Sequence, residues 1–220
     1  MASDEFAQQV LKFFEDPAVD HPPPYQYSVL YLLRRDIAYC MGDDPSSVKA
    51  LFAGVMGILA GIDLLAKFYA GSDSSSMGRR FRQFVRQYCG PLSSREQEIL
   101  YQLRNALMHS FGLYAYDRRR HRVYRFELCD GGGPLLDPAG DDWFRIHIRT
   151  LYRAFEDAIE AYRQDLQRDE ALQAHFSAMF PRYGWIARGL TLHEDSPCLL
   201  SEAPRTAEAE GGGKERGAAA

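Results

Sequence analysis

The chain has 220 residues, 46% hydrophobic and 25% charged, with a net charge of −4; that allows one domain with a substantial core and excludes a wholly disordered or fibrous chain. Cys40, Cys89, Cys129 and Cys198 form no CxxC pair, which argues against a disulfide framework or zinc ribbon and fits a reducing, cytoplasmic setting. The net charge conceals an asymmetry, because Met77 to Arg125 holds eleven arginines against Glu96, Glu98 and Asp117. A segment so basic suits phosphate, which arginine grips with a planar fork.

Helical spacing predicts a first helix over Asp4 to Glu15, N-capped by Ser3, with Phe6, Val10, Phe13 and Phe14 on one side. Pro17 and Pro22-Pro23-Pro24 force a loop. A second helix covers Ser28 to Met41 and is stopped by Gly42-Asp43-Asp44-Pro45. The third, Ser46 to Tyr69, is apolar nearly all round until Asp63, the pattern of a helix buried on most sides. Its most apolar stretch, Ala50 to Ile62, is thirteen residues, short of the roughly 20 a membrane span needs, so no membrane is expected. Gly54, Gly57 and Gly61 along one flank predict close approach by another helix, of this chain or of a second copy.

Gly71 to Ser76 reads as a polar loop. A fourth helix, Gly78 to Tyr88, sets Phe81, Phe84, Val85 and Tyr88 inward and Arg79, Arg82 and Arg86 outward as a cationic stripe. The fifth opens with a capping box, Ser93…Glu96 or Ser94…Gln97, and ends near His109-Ser110 with Gly112 as a stop signal. The period then changes to two, so Leu113 to Tyr116 and Val123 to Leu128 predict a hairpin whose tip carries Arg118, Arg119 and Arg120. After Gly131-Gly132-Gly133-Pro134, a long helix is expected from Asp141, with Phe144, Ile148, Leu151, Phe155, Ile159, Tyr162 and Leu166 at three- and four-residue spacing. A last helix covers Asp169 to Phe180, and from Ser196 the composition reads as a disordered tail. The expected fold is all-α: a single helical bundle over residues 1–195 with one inserted β-hairpin at about 113–128, then a tail over 196–220.

Several motifs are absent. The triple glycine at 131–133 does not extend to GxGxxG, Gly213-Lys214-Glu215 is no phosphate loop, and neither GxSxG nor HExxH occurs. His21, His109, His121, His147, His175 and His193 never fall at ligand spacing with another His or Cys, so no metal and no other cofactor are expected. Glu156, Asp157 and Glu160 read as a solvated helix face with Arg153 and Arg163 at ion-pair spacing. The acidic start, MASDEF, has no basic segment before an apolar run, so no secretory signal is expected.

One constellation carries chemistry. Arg104-Asn105-Ala106-Leu107-Met108-His109 ends the fifth helix. A histidine can take a proton from a ribose 2′-OH or give one to a leaving oxygen, and an arginine can stabilise the charge that builds on the phosphorane. Five helical residues turn His109 about 140° from Arg104, so only a long side chain, an unwound last turn or a second copy of the helix brings the two together. Asn105 shares the face of His109. The alternative reading of Arg, Asn and His at a helix end is a C-cap with surface charges.

The sequence RNALMH resembles the Arg-polar-x-x-x-His signature of the HEPN superfamily (higher eukaryotes and prokaryotes nucleotide-binding domain). It lies in YQLRNALMHSFG, after GIDLLAKFYAG and RRFRQFVRQY, and the resemblance spans about Ala50 to Phe111. It implies a helical bundle that forms a homodimer, in which two motifs face each other as a composite, metal-independent ribonuclease site. Arg104 and His109 would then be catalytic and Asn105 would orient them. Many members are toxins or defence factors, so an antitoxin or nucleotidyltransferase-type partner protein is a further expectation. Arg79, Arg82, Arg86, Arg118, Arg119 and Arg120 bracket the motif as a rim for RNA phosphates. The competing expectation is a non-catalytic helical scaffold or nucleotide-binding module that dimerises through the third helix. The hairpin directly after the motif departs from a bare bundle.

Overall fold

The computed structural model describes residues 4–17, 27–42 and 49–185. The expected Ser3 cap, the Pro22–Pro24 loop, the stretch from Asp43 to Ser46 and the tail from Ser196 lie outside them. The described residues form α1 (Asp4–Phe13), α2 (Val29–Met41), α3 (Leu51–Ala70), α4 (Met77–Tyr88), α5 (Ser94–Ser110), β1 (Tyr114–Asp117), β2 (Arg122–Cys129), β3 (Leu136–Pro138), β4 (Trp143–His147), α6 (Ile148–Leu166) and α7 (Glu170–Tyr183).

Helix α3 is the centre. It is twenty residues long and, by length and composition, apolar enough to cross a membrane; here α2, α4, α6 and α7 pack around it. Its glycine flank is what lets them approach. A methyl group at Gly54 would run into Met41, one at Gly57 would lie 2.8 Å from Ile37, and one at Gly61 would run into Phe155. The close approach therefore belongs to α2 and α6 of the same chain, and the flank offered to a second copy is already occupied. Gly71, at φ 63°, ends the helix in the left-handed conformation that glycine adopts without strain. Below it, Phe13, Phe14, Phe68, Phe176 and Phe180 form an edge-on and tilted aromatic cluster, the geometry aromatic rings prefer.

The expectation of an all-α fold with a lone hairpin is corrected. The hairpin is present as β1 and β2, but it is half of a four-stranded mixed sheet of order β1-β2-β4-β3, so the fold is mixed α/β. β2 runs antiparallel to β1 and parallel to β4, and β3 is antiparallel to β4. The segment read as the start of a long helix at Asp141 is β4, and α6 begins only at Ile148. Phe144 and Ile148 are four apart by coincidence of a strand meeting a helix. The alternation within Trp143-Phe144-Arg145-Ile146 is the true period: Phe144 and Ile146 are wholly buried and their neighbours exposed. The strand has its partner ready, since β2 presents Phe126 and Leu128 in register with Phe144 and Ile146.

The pleat gives the sheet two faces. Ala115, Tyr124, Phe126, Phe144 and Ile146 point into the bundle and are buried, with β1 and β2 against α5 and β4 against α6. Tyr114, Tyr116, Arg125, Trp143 and Arg145 point the other way. The carboxylates of α6 behave less uniformly than a solvated face. Glu160 pairs with Arg163 at 3.5 Å, whereas Glu156 accepts three bonds from Arg34 of α2, at 3.3, 3.0 and 2.5 Å, and ties the two helices together.

Candidate active site

Helix α5 opens with the Ser93–Glu96 form of the capping box: the Ser93 hydroxyl accepts from the Glu96 amide at 3.3 Å, and the Glu96 carboxylate accepts from the Ser93 amide at 2.8 Å. That start fixes which residues face α3. Leu100, Leu103 and Leu107 are buried there, and Arg104 is carried in with them, 5% exposed. A buried guanidinium needs a counter-charge. It finds Asp63, the one carboxylate of α3, whose Oδ2 accepts from Arg104 Nε at 2.6 Å. Burial pushes the Asp63 carboxyl above its ordinary range, while the charge and hydrogen bond of Arg104 pull it back. Asp63 Oδ1 is buried without a partner among the described residues.

The other end of the guanidinium points along α5. Arg104 Nη1 lies 2.9 Å from His109 Nε2 and donates to Asn105 Oδ1 at 3.4 Å. Arginine has only donors, so Nε2 is the acceptor and the neutral imidazole carries its proton on Nδ1. The rotation that separates Arg104 from His109 is bridged by side-chain length and by a widened last turn. The amides of Phe111 and Gly112 both reach back to Ala106 O, beyond the usual four-residue step. The left-handed residue that ends the helix is Phe111, at φ 46° and 72% exposed, rather than Gly112. His109 itself is exposed.

Two adjoining clefts lie beside this centre, and neither is lined by Arg104 or His109 themselves. One, of about 390 Å³, lies between α4, α5 and the β1–β2 hairpin and is lined by Arg82, Tyr101, Asn105, Tyr116 and Arg118 to Arg120. Asn105 joins it to the Arg104–His109 pair. The second, of about 330 Å³, is lined by Arg79, Arg82, Arg86 and Arg120. The fold thus collects all six rim arginines on two adjoining clefts, although they are not equally free. Glu98 pairs with Arg82 at 3.2 Å and with Arg120 at 2.9 Å, and Arg82 also lies over the Tyr101 ring. Arg79, Arg86, Arg118 and Arg119 pair with no carboxylate among the described residues.

Two residues escape a reading by motif. Asp63 carries one visible signal, a lone carboxylate in an apolar helix. Glu98 carries none, because its two arginine partners come from α4 and the hairpin turn. Among the described residues no group of three His, Cys, Asp or Glu side chains could hold a metal ion. No protein-family model matches the chain, and neither a curated protein nor a solved structure is similar enough to it to count as a match.

Proposed function

We propose that the chain is a metal-independent endoribonuclease centred on Arg104 and His109, as the HEPN-like motif implies. One observation carries the reading: an exposed histidine whose ring nitrogen lies 2.9 Å from a buried arginine, the arginine being held from behind by Asp63. When substrate binds, its phosphate takes the Arg104 Nη1 donor away from His109 Nε2; Nε2 of the neutral ring then accepts the proton of a ribose 2′-OH, and the oxygen attacks the adjacent phosphorus. The Arg104 guanidinium, oriented before substrate arrives, meets the charge that develops on the phosphorane. Each chain offers one such histidine, so protonation of the leaving oxygen falls to His109 of a second copy in a homodimer, with the arginines of the two clefts gripping the flanking phosphates.

The test is RNA cleavage in the presence of EDTA. Wild type should cut, and His109→Ala should lose about 10²–10⁴-fold in rate. Arg104→Lys should be substantially impaired, because it keeps the charge and loses the planar fork. Activity that vanishes with the chelator and returns with Mg²⁺ or Mn²⁺ overturns the mechanism. The Arg104–Asp63 pair favours one other reading, a structural ion pair in an interaction module. That reading prevails if wild type does not cut and Arg104→Lys lowers the melting temperature by several degrees.

A further inference from the structure

The outer face of the sheet has the composition of neither a core nor an ordinary solvated surface. The register sets Tyr114, Arg125 and Trp143 side by side across β1, β2 and β4, and Tyr116 lies two residues from Tyr114 on the same face. Tyr114 is 53%, Tyr116 48% and Trp143 46% exposed. The core does not need these rings, since Tyr124 and Phe144 on the opposite face already fill it at 2% and 0% exposure.

Charge says what such a face suits. At the hairpin end, Arg118 and Arg119 pair with no carboxylate among the described residues, and Arg125 has Asp142 at 3.7 Å. At the β3 end, Arg145 is matched by Glu127 at 3.0 Å and Asp137 at 3.7 Å. The positive excess therefore lies at the hairpin end, beside Tyr114 and Tyr116, while Trp143 adjoins Arg125 together with Asp141 and Asp142. Exposed rings interleaved with arginine on a sheet are the features that bind unpaired nucleic acid, because every base has a face to stack and every linkage a phosphate to neutralise. A duplex offers its phosphates but not its base faces. Tyr116 also borders the cleft that contains Asn105, and β1 starts four residues after Ser110, so this edge of the face adjoins the cleft beside the candidate active site.

We propose that the outer face of this sheet is a binding platform for unpaired RNA, on which Tyr114, Tyr116 and Trp143 stack against bases while Arg118, Arg119 and Arg125 hold phosphates. The proposal rests on the ribonuclease reading for the identity of the polymer, and it makes single-stranded RNA the substrate of that site.

The experiment measures binding of a short fluorescent RNA without self-complementarity, and of the same RNA annealed to its complement, to the full chain carrying His109→Ala. The single strand should bind more tightly than the duplex. Tyr114→Ala and Trp143→Ala should each weaken it roughly tenfold, and Tyr114→Phe and Trp143→Phe should restore it, while Leu11→Ala, at an exposed site on α1, should change nothing. Circular dichroism of each variant confirms that the fold is kept. Single-strand affinity unchanged in the Tyr114→Ala, Trp143→Ala double variant overturns the platform, as does equal affinity for the duplex. If the double variant loses self-association and keeps RNA affinity, the face belongs to a protein contact and the proposal falls. Cleavage by wild type separates the two readings: a chain that cuts without using the aromatics is a ribonuclease without this platform, and one that binds through them without cutting is an RNA-binding module.

Discussion

Arg104 is a charge taken out of water and held by one carboxylate, and this makes Asp63 the residue on which the site's geometry depends. Asp63→Asn keeps the shape and leaves the guanidinium buried with no counter-ion. It should cost about 3 kcal/mol of stability, a fall of about 2–4 °C in melting temperature for each kcal/mol at this chain length. Cleavage should fall with it while RNA affinity, set by the exposed arginines, holds. Denaturant unfolding and single-turnover cleavage check the two parts separately. The cysteines give a second expectation at this scale. Burial pushes the Cys89 thiol up to about 12, so in the native protein at pH 8 an alkylating reagent should label the half-buried Cys40 and Cys129 well before Cys89, and mass spectrometry of the labelled peptides reads the order. What the sequence shows of the site is the pair Arg104 and His109. What it hides is the reason they meet, because Asp63 lies 41 residues from Arg104 and only the packing of α3 on α5 makes them neighbours.

At the scale of the elements, spacing locates the helices because each buries one stripe, and fails where two elements share a stripe. The step from Phe144 to Ile148 is that case, and β3, three residues long, has too little pattern to be read at all. The glycines of α3 are legible as a close approach, and only the structure says whose. Gly61→Ala tests the answer: its methyl group would meet the Phe155 ring, and overpacking of this kind costs about 1–3 kcal/mol, seen as a lower melting temperature with the oligomeric state unchanged. The ties between elements also set an acid limit. The Asp130 carboxyl is held below its ordinary value by hydrogen bonds from Lys49 and Arg149, and that of Asp73 by Tyr183 and Arg182. Groups lowered in this way stabilise the fold above the ordinary carboxyl value of 3.8, and the contribution is lost as pH falls through their lowered values. Melting temperature should therefore decline from pH 5 to pH 2, and less steeply in Asp130→Asn.

For the whole molecule, the expectation concerns which surface meets a second copy. The glycine flank of α3 is covered by α2 and α6, so a homodimer that brings two Arg104–His109 pairs together has to form around the exposed end of α5, where Phe111 stands out at 72% exposure. Light scattering should give a dimer at micromolar concentration, and Phe111→Ser should shift it toward monomer and reduce cleavage, with the melting temperature little changed. The same aromatic left unaffected by substitution, in a protein that remains dimeric, would place the interface elsewhere.

The sheet order has a consequence for how the chain reaches its structure. β2 and β3 follow one another in sequence, yet β4 lies between them, so the gap must stay open until β4 arrives. β3 and β4 close on each other across a short turn, whereas β2 and β4 pair across eighteen residues, as at Glu127 and Arg145. Loop closure is cheaper for the shorter connection, and the β1–β2 and β3–β4 hairpins each close across four residues, so both are expected to form before β2 and β4 pair. Val123→Ala, paired with Tyr116 inside the β1–β2 hairpin, should slow refolding, while Leu128→Ala, paired with Ile146 across β2 and β4, should mainly speed unfolding, a contrast stopped-flow kinetics can read.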